Sequence, residues 1–77
     1  MTEAEFRKSK EYAESMQKIK SYPKGFTFSL KYGDIPKAKG NALKILTEDC
    51  IDNGILESIS IGLNIHGEFV EEQYRRL

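Results

Sequence analysis

Residues 34–65, DIPKAKGNALKILTEDCIDNGILESISIGLNI, decide the fold of this chain. In the first half of this stretch, apolar residues recur with the period of an α-helix. We expect the helix to end at Asn53-Gly54, because glycine adopts the left-handed conformation that follows many helices without a steric penalty. The expected apolar face consists of Ile35, Ala38, Ala42, Leu43, Ile45, Leu46 and Cys50.

In the second half of the stretch the apolar period changes from 3.6 to 2. Ile59, Ile61, Leu63 and Ile65 alternate with serine, glycine and asparagine. This alternation predicts a strand with one apolar face and one small polar face, which covers a core from one side. A helix followed by such a strand indicates a small two-layer domain.

The flanking segments supply the other expected elements. Residues 2–22 are predicted to form one helix, in which Thr2 and Glu5 have the spacing of a capping box. Residues 25–32 alternate as a strand. Asp34 is a candidate N-cap for the next helix, although that helix could instead begin at Asn41, after Gly40.

The C-terminal segment, residues 68–77, fits either a helix or a strand. As a helix it would carry acidic residues early and arginines late, which suits the helix dipole. As a strand it would follow a two-residue turn at His66-Gly67. We favour the strand, because two strands make a marginal sheet and three can be stable. The expected pairs are Leu63 with Val70, Ile61 with Glu72, Ile59 with Tyr74 and Glu57 with Arg76.

The predicted fold class is therefore α+β, a single domain over residues 1–77 in the order α-β-α-β-β. We expect a three-stranded mixed sheet with both helices on one face. The first two strands should be parallel, joined by a right-handed crossover, and the last should pair antiparallel to the second. The expected apolar sheet face is formed by Phe26, Phe28, Leu30, Ile59, Ile61 and Leu63.

Size and composition favour a cytoplasmic protein. The chain has 77 residues and one cysteine, Cys50, which is expected to be a buried thiol. The sequence has no apolar stretch of transmembrane length and no apolar signal segment at its start. We therefore expect no membrane association.

Charge is unevenly distributed although the formal net charge is zero. Residues 7–44 hold ten lysines and arginines against three acidic residues, a formal +7. Residues 45–77 hold two arginines against seven acidic residues, a formal −5. This asymmetry is compatible with an anionic partner. We favour the alternative that the two halves neutralise each other within the fold or across a dimer, because a net charge of zero gives no long-range attraction to nucleic acid.

The residues expected of a catalytic or cofactor site are missing from the sequence pattern. His66 is the sole histidine, so a zinc site has little support. No serine has an evident base, and the acidic residues near the end of the central helix resemble a solvated face. We therefore expect no enzyme activity, no cofactor, no metal and no small-molecule substrate.

The stretch PKAKGN, residues 36–41, could present positive charge and helix-start amides to phosphate. It lacks the Walker A and dinucleotide-binding glycine patterns, so we favour the interpretation that it is a helix start with solvated lysines. The candidate nucleic-acid-binding residues are Lys31, Lys37, Lys39 and Lys44.

The run IPKAKGNALKILTEDCIDNGILESISIGLNI, with the terminal YRRL, resembles short uncharacterised proteins carried on conjugative transposons (integrative conjugative elements) of Gram-positive bacteria. The resemblance covers residues 22–77. It implies that the chain is encoded by a mobile element, and it supplies no catalytic residues.

The leading functional hypothesis is a non-enzymatic interaction module that binds a protein partner or forms a homodimer. It rests on the small core and on the free strand edges of such a sheet. The alternative is a nucleic-acid-binding accessory protein that uses the basic half, residues 7–44.

Overall fold

A computed structural model describes residues 2–77 and has the predicted α+β class, with two helices where one was expected before the first strand. Three α-helices, three strands and one short 3-10 turn make up the chain. The elements are α1 (Glu3–Arg7), α2 (Lys10–Lys20), β1 (Thr27–Leu30), the 3-10 turn (Tyr32–Asp34), α3 (Lys37–Asp52), β2 (Leu56–Leu63) and β3 (Phe69–Arg76).

The first predicted helix is two helices, α1 and α2, so the expectation of one continuous helix over residues 2–22 is wrong. The capping box at Thr2 and Glu5 is present, as expected. Ser9 then caps α2, because its hydroxyl oxygen accepts a hydrogen bond from the Tyr12 amide at 3.1 Å. Serine competes in this way with a continuous helix by offering the backbone a local alternative.

The long helix α3 begins at Lys37, so Gly40 lies inside it and the later start at Asn41 is wrong. Asp34 does not cap it, because that residue belongs to the 3-10 turn and Pro36 occupies the N-cap position.

The expected end of α3 is confirmed. Gly54 has a φ of +71°. Its amide donates to the Ile51 carbonyl at 3.1 Å, and the Ile55 amide donates to the Cys50 carbonyl at 2.8 Å. These two bonds form a Schellman motif.

The sheet has the strand order β1-β3-β2, with β3 antiparallel to both neighbours. Residues 68–77 therefore supply a strand, as expected. Strands β1 and β2 run in the same direction, but β3 lies between them and the connection is a split β-α-β unit. Because neither pair of neighbouring strands in residues 2–77 is parallel, the sheet is antiparallel throughout rather than mixed.

The hairpin between β2 and β3 has a three-residue turn, Ile65-His66-Gly67, instead of the expected two-residue turn. The Asn64 amide donates to the Glu68 carbonyl at 2.9 Å, and Gly67 has a φ of +76°. Glycine is favoured at this left-handed position of three-residue hairpins.

The pairing register of the hairpin agrees with the expected one only in its middle, where Ile61 pairs with Glu72. Two irregularities, after Ser58 in β2 and before Glu71 in β3, shift it by one residue at each end. The expected end pairs are therefore wrong. The observed end pairs are Leu63 with Phe69, Ser58 with Tyr74 and Glu57 with Arg75.

The core lies between the helices and one end of the sheet. Cys50 is completely buried, as expected, and lies beside the Met16 sulfur. The buried hydrophobic residues are Phe6, Ile19, Tyr32, Leu46, Cys50, Leu56 and Tyr74.

The predicted apolar sheet face is only partly correct. Phe28 and Leu30 of β1 pack against the core. The remaining members, which are exposed, are Phe26, Ile59, Ile61 and Leu63. For the three residues of β2 the reason is the strand order: β3 takes the centre of the sheet beneath α3, so β2 is left at the edge and only Leu56 at its start is buried.

Candidate interaction surface

An exposed apolar strip follows strand β2 and continues into the hairpin loop. We call Ile59, Ile61, Leu63 and Ile65 the β2 strip. Their exposed fractions are 36%, 60%, 61% and 95%. Residues 58–65 include no charged residue, and Glu57 immediately before them is paired with Arg75. The strip is therefore both apolar and uncharged.

Among residues 2–77, no strand pairs with the outer side of β2, because β2 lies at the edge of the sheet. The Asn64 amide points towards β3, since it donates to the Glu68 carbonyl. Backbone groups of successive residues in a strand point to opposite sides. Gly62 therefore also bonds inwards, whereas Ile61 and Leu63 direct their N–H and C=O groups to the free edge.

A regular segment of β2 lies beside the hairpin loop. The irregularity after Ser58 leaves Ile59 as an extra residue in β2. The second irregularity leaves Val70 as an extra residue in β3, and it does not interrupt β2. Residues 60–63 of β2 consequently form an uninterrupted extended segment. Asn64 follows them and still bonds to the facing residue Glu68, so the usable stretch 60–64 has Gly62 at its centre.

A shallow cleft separates α3 from the β2 strip. Residues directly opposite each other in neighbouring strands project from the same face of the sheet. Ile61 is opposite Glu72, and Leu63 is opposite Phe69, so both project from the face of the sheet on which this cleft lies. The residues that line the cleft are Lys44, Thr47, Glu48, Ile51, Phe69 and Glu72.

Hydrogen bonds between side chains hold the floor of the cleft in place. The hydroxyls of Tyr32 and Tyr74 are 2.9 Å apart, and the Tyr74 hydroxyl donates to a Glu72 carboxylate oxygen at 2.7 Å. Ser58 donates to the other oxygen of Glu72. Burial raises the pKa of Tyr74, so its hydroxyl remains a donor at neutral pH. This network fixes Glu72 beneath the strip.

The four candidate nucleic-acid-binding lysines do not form one patch. Lys37 and Lys44 line the same depression beside Tyr32 and Phe69. The Lys44 ammonium lies 5.3 Å and 5.1 Å from the centres of those two rings, in the range of cation–π contacts.

The other two candidate lysines lie apart from that depression. Lys31 lines a different depression, with Gly33 and Val70. Lys39 is exposed in the first turn of α3 and lines neither of them. The structure therefore brings two of the four candidates together.

A cluster around Asp49 joins the three helices. The Arg7 guanidinium donates two hydrogen bonds to the Asp49 carboxylate, each 2.9 Å long. The Tyr12 hydroxyl donates to the same carboxylate at 2.6 Å. The Arg7 bonds hold the pKa of Asp49 below its usual range, and the bond to Asp49 raises the pKa of Tyr12 to about 12. The cluster connects α1 and α2 to α3.

The single histidine and the single cysteine lie in different environments. His66 is exposed in the hairpin loop, and burial raises the pKa of the Cys50 thiol. Within residues 2–77 there is no group of three or more potential metal ligands. In the same part of the chain, each helix is too short or too polar to cross a bilayer.

The sequence contained the signal for the β2 strip but not its exposure. The alternation of Ile59, Ile61 and Leu63 is visible by inspection, whereas their exposure follows from the position of β3. The Asp49 cluster has no local sequence signal, since Arg7 and Asp49 are 42 positions apart. No protein-family model, curated protein or solved structure was found to match this chain.

Proposed function

We propose that this chain is a non-enzymatic protein-interaction module that binds through the edge of β2. The observation that carries the proposal is the uncharged apolar strip on a strand with an unpaired outer side. An edge strand of this kind can pair with another strand through main-chain hydrogen bonds. Every second side chain of the added strand then packs on one face of the sheet. The resemblance to proteins of conjugative transposons supports a mobile-element context for this module.

The two edge strands of the sheet differ in how well they are protected against pairing with another strand, as expected if β2 binds a partner and β1 does not. Proteins protect unused edges with short strands, lysines, prolines or bulges. Strand β1 has four residues and is flanked by Lys24 and Lys31. Strand β2 has eight residues, and its protection is limited to the bulge at Ile59. The remainder of β2 is free to pair.

The proposal is tested by placing lysines on the strip. The double variant Ile61→Lys, Leu63→Lys adds two positive charges at exposed positions of β2. The control Ala13→Lys, Ser29→Lys adds the same charge at exposed positions of α2 and β1. Proteins that bind wild type are identified quantitatively for all three chains, and self-association is measured in parallel.

We expect at least one interaction, with itself or with another protein, to be lost in the β2 variant and kept in the control. An identical set of interactions for all three chains would refute the use of β2. Circular dichroism checks that both variants are folded.

A nucleic-acid-binding accessory role is the second candidate, favoured by the pairing of Lys37 and Lys44 beside two aromatic rings. Aromatic rings next to positive charge are a common platform for single strands. The ring of Phe69 is only half-buried, but Tyr32 is buried and Lys44 already covers both rings. These contacts leave little free stacking surface, so we place this role second.

A further inference from the structure

We infer that the partner strand at the β2 edge is β2 of a second copy of this chain, paired antiparallel about a two-fold axis at Gly62. The inference rests on the proposed interaction function and specifies a second copy of the chain as the binding partner. It predicts a homodimer with one continuous six-stranded sheet.

The regular segment of β2 fixes the register. The usable stretch is residues 60–64, and a two-fold axis at Gly62 maps this segment onto itself. Ser60 then lies opposite Asn64 of the second copy, and Ile61 lies opposite Leu63 of the second copy. Because Ile59 lies outside the paired segment, the bulge does not obstruct the pairing.

The backbone groups match in this register. Ile61 and Leu63 direct their N–H and C=O groups to the free edge, as the inward bond of Asn64 shows. Opposite residues of this kind exchange both of their hydrogen bonds in an antiparallel pair. The outward N–H and C=O groups of Ile61 in one copy would therefore form hydrogen bonds with those of Leu63 in the other copy.

The side chains also match. On the face that carries α3, Ile61 meets Leu63 of the second copy, and on the open face Gly62 meets Gly62. Two other registers are worse. An axis at Ser60 sets Leu63 opposite the charged Glu57, and an axis at Ile61 requires the bulged Ile59 to pair with Leu63.

The helices close over the strip in such a dimer. A two-fold axis perpendicular to the sheet leaves both copies of α3 on the same face. The two β3 strands would lie about 14 Å apart, three strand spacings. Thr47 of α3 lies over Tyr74 of β3, with their hydroxyl oxygens 3.4 Å apart. A helix is about 10–12 Å wide with its side chains, so the two α3 helices would nearly meet.

The residues on the exposed face of α3 suit this approach. Ile51, 38% exposed, lines the cleft that would be enclosed. Lys44 and Glu48 line the same cleft and carry opposite charges. The two copies of α3 would be antiparallel, which sets the basic part of one face near the acidic part of the other. The net charge of zero adds no overall repulsion between copies.

Amide hydrogen exchange followed by NMR, with sedimentation equilibrium on the same samples, tests the pairing. At low concentration, where the chain is monomeric, the Ile61 and Leu63 amides should exchange rapidly and those of Gly62 and Asn64 slowly. As the dimer forms, exchange of Ile61 and Leu63 should slow by at least tenfold. A filtered NOE experiment on mixed labelled and unlabelled chains should give a contact between Gly62 α-protons of different copies.

Each outcome decides the inference. A monomer at every concentration up to about 0.5 mM would overturn it, and so would a dimer in which Ile61 and Leu63 still exchange rapidly. The variant Ile61→Lys, Leu63→Lys should be monomeric, whereas Ala13→Lys, Ser29→Lys should dimerise as wild type does. If wild type is monomeric but another protein requires the β2 strip, the inference fails and the proposed function stands.

Discussion

Asp49 connects the three helices through one carboxylate, and this makes the packing of the helices dependent on pH. Because Arg7 holds the pKa of Asp49 below its usual range, the charged form stabilises the fold. This contribution is complete above the pKa of Asp49 in the unfolded chain, about 3.9, and is lost as the pH falls through its lower pKa in the folded chain.

We therefore expect Asp49→Asn to be less stable than wild type at pH 7. The difference should shrink below about pH 4, where the wild-type carboxylate also becomes protonated. Urea unfolding at pH 7 and at pH 2.5 measures both effects. An equal difference at the two pH values would show that the charge of Asp49 is not responsible.

The hydrogen-bonded pair Tyr32 and Tyr74 predicts an asymmetric effect of two similar substitutions. In Tyr74→Phe, both Tyr32 and Glu72 lose the Tyr74 hydroxyl, and Tyr32 is buried, so the free energy of unfolding should fall by about 2 kcal/mol. In Tyr32→Phe the Tyr74 hydroxyl keeps its bond to Glu72, so the loss should be about 1 kcal/mol. Urea unfolding with an unchanged m-value measures both. Equal losses would contradict the bonding described for Tyr74.

At the scale of the elements, β2 has a buried start and an exposed remainder, and its apolar residues should differ accordingly. Leu56 is 1% exposed, so Leu56→Ala should lower the free energy of unfolding by about 3 kcal/mol. Ile61 is 60% exposed, so Ile61→Ala should change it by less than about 0.5 kcal/mol at concentrations where the chain is monomeric. A large loss in Ile61→Ala under those conditions would mean that the strip is part of the core.

The elements themselves could largely be read from the sequence, because their signals are local. The capping residue Thr2, the terminating Gly54 and the alternation in the first two predicted strands each act within a few positions. The division of the first helix at Ser9 was missed because its hydroxyl bond to the next turn competes with an otherwise continuous pattern.

The order of the strands could not be predicted in the same way, because it depends on contacts between distant segments. The alternation of Ile59, Ile61 and Leu63 predicts a strand with one apolar face, but not which element covers it. Because β3 pairs with β1 and occupies the centre of the sheet, β2 lies at the edge. The face of β2 that was expected to be in the core is therefore exposed. The β2 strip is thus a segment whose alternating sequence is typical of a half-buried strand but whose position in the sheet leaves it exposed.

At the scale of the whole molecule, the uneven charge of the sequence is only partly balanced by contacts between distant segments. Arg7 from the basic half pairs with Asp49 from the acidic half. Arg75 and Glu57 both come from the acidic half. The four candidate lysines do not appear among the ion pairs of residues 2–77, and Lys44 instead lies over aromatic rings. Their charges remain available to an anionic partner, and the salt dependence of binding separates the two candidate functions.

If Lys37 and Lys39 contact phosphates of duplex DNA, each contact adds about 0.9 to the slope of log affinity against log salt. The variant Lys37→Ala, Lys39→Ala should then flatten the slope by about 1.8, since two contacts are removed. The control Lys8→Ala, Lys24→Ala makes the same change of net charge at other exposed positions and should leave the slope close to that of wild type. Mobility-shift titrations at several salt concentrations measure all three slopes, with duplex and single-stranded probes. Equal flattening in both variants would indicate non-specific attraction to charge, and absence of binding at tens of micromolar in low salt would eliminate the nucleic-acid role.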